Sequence, residues 1–311
     1  LLFCGCSKDD TTLENAYNVF DTSTKYGITK TGNLQSAEFF AKDLCVTEDE
    51  NIGLEETTES VAEGAGLFRL NEKEAVYKKN IYERLYPAST TKILTALIAL
   101  EESNLDDVVT VSANAANQAS DSSVCGLKEG DQISMRDLLY GLMMRSGNDA
   151  AIAIAEHISG SSEEFAVLMN AKAQSLGATN SHFVTPNGLH DEDHYTTVYD
   201  MYLIMNAAVK YSLFNEIIHM DTYSTVYSDK NGASKEITVN STNYFIQGTA
   251  QAPSGITVLG GKTGTTNAAG HCLLLLSRDS SSNPYISIIM RADSRDELYS
   301  QMTDLLDEIN N

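Results

Sequence analysis

The chain has 311 residues, 42% hydrophobic and 21% charged, ordinary proportions for a globular protein with a sizeable core. Lys and Arg number 21 against 43 Asp and Glu, a formal charge of −22, and a polyanion of this kind is repelled by nucleic acid and anionic lipid headgroups. The longest apolar runs, such as Ile152 to Ala155 and Cys272 to Leu276, are too short to span a bilayer, and no Rossmann fingerprint, Walker loop or zinc-finger cysteine spacing occurs.

The chain begins at Leu1 rather than Met and is read as processed or truncated at that end. Leu1-Leu2-Phe3-Cys4-Gly5-Cys6 meets Ser7-Lys8-Asp9-Asp10, an apolar end against a polar tail. It resembles the close of a bacterial lipoprotein signal peptide, with Gly5-Cys6 as the cleavage and lipidation point. Phe3 and Cys4 stand where smaller or branched residues are usual, and a trimmed ordinary signal peptide gives a similar end. On either reading the protein is expected to be exported, with residues 1–6 as remnant leader and Cys6 as the candidate lipid anchor. Cys45, Cys125 and Cys272 are isolated, with no Cys-x-x-Cys, and three cannot all pair.

Residues 7–60 read as an acidic tether. Glu48, Asp49, Glu50, Glu55, Glu56 and Glu59 follow one another without a Lys or Arg, a composition that solvates rather than packs. Within it, Leu34 to Leu44 could form a short amphipathic helix. From residue 61 the pattern changes. Ala65 to Leu70 and Ala75 to Tyr77 read as strands around a turn. A strong helix is expected from Ser89 to Glu101, then others at Met135 to Met144, Asp149 to Ile158, Ser162 to Leu176 and Tyr199 to Ala208. Strands return at Ile237 to Val239, Thr257 to Thr263, Gly270 to Ser277 and Tyr285 to Met290, and a helix closes the chain, Arg295 to Ile309. Strands at both ends with helices between predict an α+β fold, one antiparallel sheet covered by helices, in a single catalytic domain over 61–311.

Three short constellations carry chemistry. In Pro87-Ala88-Ser89-Thr90-Thr91-Lys92, Ser89 begins the helix and Lys92, three residues on, shares its face. A serine hydroxyl is a weak nucleophile, and a desolvated lysine can serve as its base. The helix start also offers free N–H groups to an oxyanion. Chance alone supplies about one Ser-x-x-Lys in such a length, and a helix cap with a solvated lysine would explain it equally. Ser146-Gly147-Asn148 stands between two helices. Ser-x-Asn recurs at Ser112/Asn114, Ser241/Asn243 and Ser281/Asn283 without that setting, and a simple helix cap is the plainer account of any of them. Gly260-Gly261-Lys262-Thr263-Gly264-Thr265 ends a strand, where lysine supplies charge and glycines let a substrate backbone approach. A second Lys30-Thr31-Gly32 lies in the tether and is read as coincidence.

In this order the triplets form the signature set of penicillin-binding proteins and serine β-lactamases. Further stretches resemble the D-alanyl-D-alanine carboxypeptidases of the S11 serine peptidase family: Asp137 to Leu142 leading into Ser146 to Ala151, His182 to His190, Tyr195-Thr196-Thr197, and Asp200-Met201. The resemblance covers about residues 60–311 and implies a β-lactamase/transpeptidase-like fold, no cofactor, peptidoglycan stem peptides as substrate and β-lactam antibiotics as covalent inhibitors. It implies placement on the outer face of the cytoplasmic membrane or in the cell wall. It also implies that Ser89 is acylated, Lys92 is its base, Ser146 relays protons and Asn148 holds substrate and Lys92. Lys262 would keep the site cationic, with Thr263 and Arg295 on the substrate carboxylate and Gly264 within the substrate-binding strand. The N–H groups of Ser89 and Thr265 would form the oxyanion hole. Many members carry a C-terminal β-rich domain not evident here; a lipid on Cys6 could take over its anchoring.

Four rivals remain. His190 and His194, with Asp191 and Asp193, could suggest zinc. They fall in a loop, where their spacing does not converge them, and no third histidine is expected beside them. A class A β-lactamase adds a Glu-x-x-x-Asn element that activates the deacylating water, and none is expected between Asn148 and Lys262. A penicillin sensor on the same fold would have lost a motif residue. A D,D-endopeptidase acting on cross-links shares every motif and is the nearest alternative.

Overall fold

The computed structural model describes residues 41–52 and 62–311. The leader, the Cys6 lipidation point, the second Lys-Thr-Gly and most of the expected tether lie outside them, as does the expected Leu34 to Leu44 helix up to residue 40. Residues 43–311 form one compact unit.

Its elements run, in order, β1 (Gly64–Arg69), β2 (Glu74–Lys79), a 3-10 turn (Ala88–Thr91), α1 (Lys92–Glu102), β3 (Val108–Thr110) and β4 (Gln132–Ser134). Then come α2 (Met135–Met144), α3 (Asn148–Ser159), α4 (Ser162–Ser175), α5 (Val198–Ala208), α6 (Ser212–His219), β5 (Thr222–Ser228) and β6 (Ser234–Asn240). The last are β7 (Thr257–Thr266), β8 (Gly270–Arg278), β9 (Pro284–Ala292) and α7 (Arg295–Asp307). Single helical turns at Ala113–Ala116 and Tyr244–Gln247 and a closing 3-10 turn, Glu308–Asn310, complete the set among the described residues.

The main sheet is antiparallel, in the order β2-β1-β9-β8-β7, so strands from both ends of the unit complete it as expected. Successive side chains of a strand point to opposite faces, and in β8 both faces are buried. Leu273 and Leu275 join Leu298, Met302 and Leu306 of α7, while Leu274 and Leu276 face the helical core built around α1. A sheet covered on both sides needs an unbroken apolar run rather than an alternating one, and Cys272-Leu273-Leu274-Leu275-Leu276 supplies it. Helix α1 is enclosed all round: every residue from Lys92 to Ala99 is buried. Its one charged member in that stretch, Lys92, therefore sits in the middle of the protein.

Two expectations are corrected. The strands do not form one sheet: β3, β4, β5 and β6 make a second, four-stranded one, and the expected Ile237 to Val239 strand belongs there. Three-residue strands such as β3 and β4 are too short for an alternating pattern to register. The tether boundary also moves. Residues 45–52 pack against the domain: Cys45 is buried, its N–H donates to Tyr202 Oη at 2.9 Å, and its carbonyl accepts from Tyr199 Oη at 2.8 Å. Ile52 exchanges backbone hydrogen bonds with Lys78 on the outer edge of β2, and Lys78 Nζ donates to Thr47 Oγ1 and the Glu48 carbonyl, both at 2.7 Å. An acidic segment thus covers an exposed strand edge. Its composition predicted solvation, but polar side chains over an edge can bond and still face water.

Among the described residues no helix is long and apolar enough to cross a membrane.

Candidate active site

The turn carrying Ser89 is strained and braced. Ala88 has φ 49°, a region that non-glycine residues seldom occupy. Gly188 holds it there: at φ +77°, a Cβ on Gly188 would lie 1.9 Å from the Ala88 carbonyl oxygen, so only glycine fits. Thr90 closes the turn, its hydroxyl donating to the Pro87 carbonyl at 2.7 Å. Ser89 thus lies in a 3-10 turn before α1, not in the α-helix itself. In 3-10 geometry residues i and i+3 eclipse, and Lys92 Nζ comes 2.9 Å from Ser89 Oγ.

Lys92 has two further partners, Asn148 Oδ1 at 2.8 Å and the Asn187 carbonyl at 2.6 Å. Both are acceptors only. A neutral amine gives them its two N–H groups and keeps its lone pair for the Ser89 hydroxyl proton. Burial pushes the Lys92 pKa well below the ordinary lysine value, and the nearby Lys262 cation pushes it the same way. The partners and the surroundings both favour a base.

Lys262 forms a second pair, donating to Ser146 Oγ at 3.0 Å and to the Thr263 carbonyl at 2.8 Å. Ser146 has φ 61°, a second strained residue in this cleft. The turn around it is held by the Asn148 N–H on the Ser123 carbonyl at 2.8 Å and the Gly147 N–H on the Gly141 carbonyl at 3.1 Å. Asp149, next in line, accepts from the N–H groups of Cys125, Gly126 and Leu127 and fixes the facing loop. Burial lowers the Lys262 pKa to about 7. A ligand carboxylate beside it would favour its charged form.

This coupling gives a signed expectation. If Lys92 serves as the base for Ser89 it works when neutral, so acylation is expected to rise with pH as Lys92 loses its proton. Removing a neighbouring cation makes the ammonium form easier to keep, so Lys262→Gln shifts that acidic limb to higher pH. The pH profile of the second-order acylation rate with penicillin measures it. A limb that stays in place would mean that Lys262 does not influence the base.

The cleft, of about 340 Å³, is lined by Ser89, Ser146, Thr263, Gly264, Thr265 and Arg295 among others, with no Asp or Glu among the described residues of its wall. Lys92, Asn148 and Lys262 are buried beneath its floor. Strand β7 passes the nucleophile closely: a Cβ on Gly264 would stand 3.1 Å from the Ser89 nitrogen. Arg295, the first residue of α7, reaches Tyr244 Oη at 3.1 Å. Asn187, Thr242 and Tyr244 join the site without having been singled out as site residues. Asn187 lies in a stretch that carried the resemblance but acts through its backbone carbonyl, which no residue type reveals.

The structure also bears on the rivals. One Glu-x-x-x-Asn spacing does occur between Asn148 and Lys262, at Glu236 to Asn240, contrary to expectation. It runs along β6, where four residues extend about 13 Å; Asn240 lines the cleft, but Glu236 is exposed and does not. His194 is buried, with Nδ1 accepting from the Val184 N–H at 3.1 Å and Nε2 2.9 Å from Thr91 Oγ1. Its pKa falls to about 4, mainly through burial. His182 does come near this loop, bridging to Tyr195. Both His194 nitrogens are nonetheless occupied, so it packs as a neutral brace behind the nucleophile turn. Among the described residues no group of three or more His, Cys, Asp or Glu is arranged to hold a metal ion.

The chain is 34% identical to D-alanyl-D-alanine carboxypeptidase DacF of Bacillus subtilis over 79% of its own length and 61% of the relative's. It is 37% identical to DacC of Escherichia coli, over 63% of this chain and 48% of that one. The chain thus spans roughly half to three fifths of these relatives. Among solved structures, the Streptomyces K15 DD-transpeptidase superposes with a TM-score of 0.75 at 29% identity, over 81% of this chain and 97% of that one. The D-alanyl-D-alanine carboxypeptidase DacD of Francisella tularensis gives 0.70 at 25% identity, over 87% and 73%. The profile of the S11 peptidases matches residues 54–294, nearly the whole of the folded unit, and the chain belongs to this family of D-alanyl-D-alanine carboxypeptidases.

Proposed function

We propose that the chain is a serine D,D-carboxypeptidase that removes the terminal D-Ala from peptidoglycan stem pentapeptides through an acyl-enzyme on Ser89. The observation that carries this reading is the buried, pKa-lowered Lys92 amine 2.9 Å from Ser89 Oγ. Lys92 takes the hydroxyl proton as Ser89 Oγ attacks the penultimate D-Ala carbonyl. The oxyanion forms beside the N–H groups of Ser89 and Thr265, where β7 passes the turn. The tetrahedral intermediate expels D-Ala, its amine receiving a proton through Ser146, and water then cleaves the ester. Asn148 holds Lys92 in place and meets the peptide backbone. Thr263, Lys262 and Arg295 receive the terminal carboxylate, a role that suits a cleft wall with arginines and no carboxylate. β-Lactams, which present a similar acyl group and carboxylate, acylate the same serine. A lipid on Cys6 would hold the enzyme at the outer face of the membrane, and the Leu1 to Cys6 pattern is its sole support.

A peptide ending in D-Ala-D-Ala is expected to be cleaved roughly ten- to a hundred-fold faster, in kcat/KM, than its C-terminal amide. That is the effect of losing one charge-assisted hydrogen bond, about 1.5–3 kcal/mol. Steady-state release of D-Ala and D-Ala-amide measures the ratio, with a cross-linked dimer as a third substrate. Equal turnover of acid and amide, or preference for the dimer, would replace this reading with an endopeptidase.

A further inference from the structure

The hydroxyl of Thr263 is not alone in the cleft wall. Thr242 Oγ1 lies 2.7 Å from Thr263 Oγ1, close enough for a full hydrogen bond, and both residues line the cleft. Thr242 comes just after β6, in a segment that cannot drift. The Ser241 N–H donates to the Asp221 carbonyl at 2.7 Å, and Ser241 Oγ accepts from the Asn243 N–H at 3.2 Å. Asn243 Oδ1 in turn caps the Phe245 N–H at 3.1 Å. The Ser241/Asn243 pair, a chance Ser-x-Asn by its pattern, thus braces the residue between its two members.

Two facing hydroxyls leave one freedom, the direction of their shared bond. A carboxylate settles it, because it only accepts. To bond the substrate's terminal carboxylate, Thr263 must aim its own O–H into the cleft, and its lone pair is then open to the Thr242 proton. We propose that Thr242 is a positioning residue for carboxylate recognition: it donates to Thr263 Oγ1 and so commits the Thr263 proton to the substrate. Hydrogen bonds in series polarise one another, which strengthens the outer one as well as aiming it. This rests on the reading that Thr263 meets the carboxylate.

The test compares kcat/KM for a D-Ala-D-Ala peptide and its C-terminal amide in Thr242→Val, Thr242→Ser, Thr263→Val and the Thr242/Thr263 double valine variant. Thr242→Val is expected to lower the acid-to-amide ratio about two- to ten-fold, the range of one ordinary hydrogen bond, with amide turnover little changed. Thr242→Ser keeps the wild-type ratio, and the double variant is no worse than Thr263→Val alone. A loop that merely collapses would slow acid and amide equally, and that result overturns the proposal. So does a double variant whose loss is the product of the two single losses. If Thr263→Val collapses the ratio and Thr242→Val does not, only the positioning role fails. If Thr263→Val leaves the ratio unchanged, the carboxylate reading of Thr263 fails and takes this role with it. Should Thr242→Val fold poorly by thermal melting, Thr242→Ala and Thr242→Ser give the same comparison.

Discussion

A Lys92→Ala variant is expected to lose about 10²–10⁴ of the acylation rate, the usual contribution of a positioned general base. The size follows from what surrounds the amine. Ser89 Oγ has Lys92 as its hydrogen-bonding partner in the turn, and among the described residues no Asp or Glu lines the cleft to replace it. Asn148 Oδ1 and the Asn187 carbonyl would also lose their donor in a buried place, at about 1–3 kcal/mol for each group left unsatisfied. The same change removes a buried polar amine whose desolvation is itself costly, which offsets part of that loss. The variant should therefore fold, with thermal melting as the check, and bind labelled penicillin without reacting at a useful rate. Ser89→Ala should take no label, and peptide mapping of the wild type should place the adduct on Ser89. Label in Ser89→Ala, or near wild-type acylation in Lys92→Ala, would each remove a residue from the mechanism.

How far the sequence discloses such a site depends on what kind of atom does the work. Which side chains gather was legible: Ser89, Lys92, Ser146, Asn148, Lys262 and Thr263 come together at or just beneath one cleft, from three separate parts of the chain. The main sheet was legible because its strands are long and β8 is apolar without a break. The second sheet was not, since β3 and β4 have three residues each and β5 fully buries only Tyr227. Backbone groups were invisible too. The Asn187 carbonyl acts on Lys92 through an atom every residue possesses, and Thr242 matters only because a fold places it against Thr263. The strained φ of Ala88 and Ser146 could not be read from residues that normally avoid it. The lowered pKa of Lys262 likewise comes from burial, which spacing does not report. Glu236 to Asn240 is the converse case, a spacing that fits a motif while the strand carries its carboxylate away from the cleft.

The same carboxylate-free wall leads to the second large effect, a penicilloyl adduct that outlives many turnovers of peptide. On the proposed mechanism both substrates acylate Ser89, and they part at hydrolysis. With a peptide, D-Ala diffuses away, and the space it leaves beside Ser146 and Thr263 admits water. Lys92 or Ser146 can then take the water's proton. With penicillin the leaving nitrogen stays tethered to the acyl group and occupies that space. A carboxylate on another wall could activate water from a different side, but among the described residues the cleft lining contains none, and Glu236 is exposed on β6. Deacylation of the penicilloyl enzyme is therefore expected far below the roughly 1–10³ s⁻¹ of typical turnover, while D-Ala-D-Ala peptides turn over steadily. Stopped-flow acylation followed by a chase of released penicilloate gives both rates. Release of penicilloate at many turnovers per second would require a water-activating group outside this cleft wall and would make the enzyme a β-lactamase.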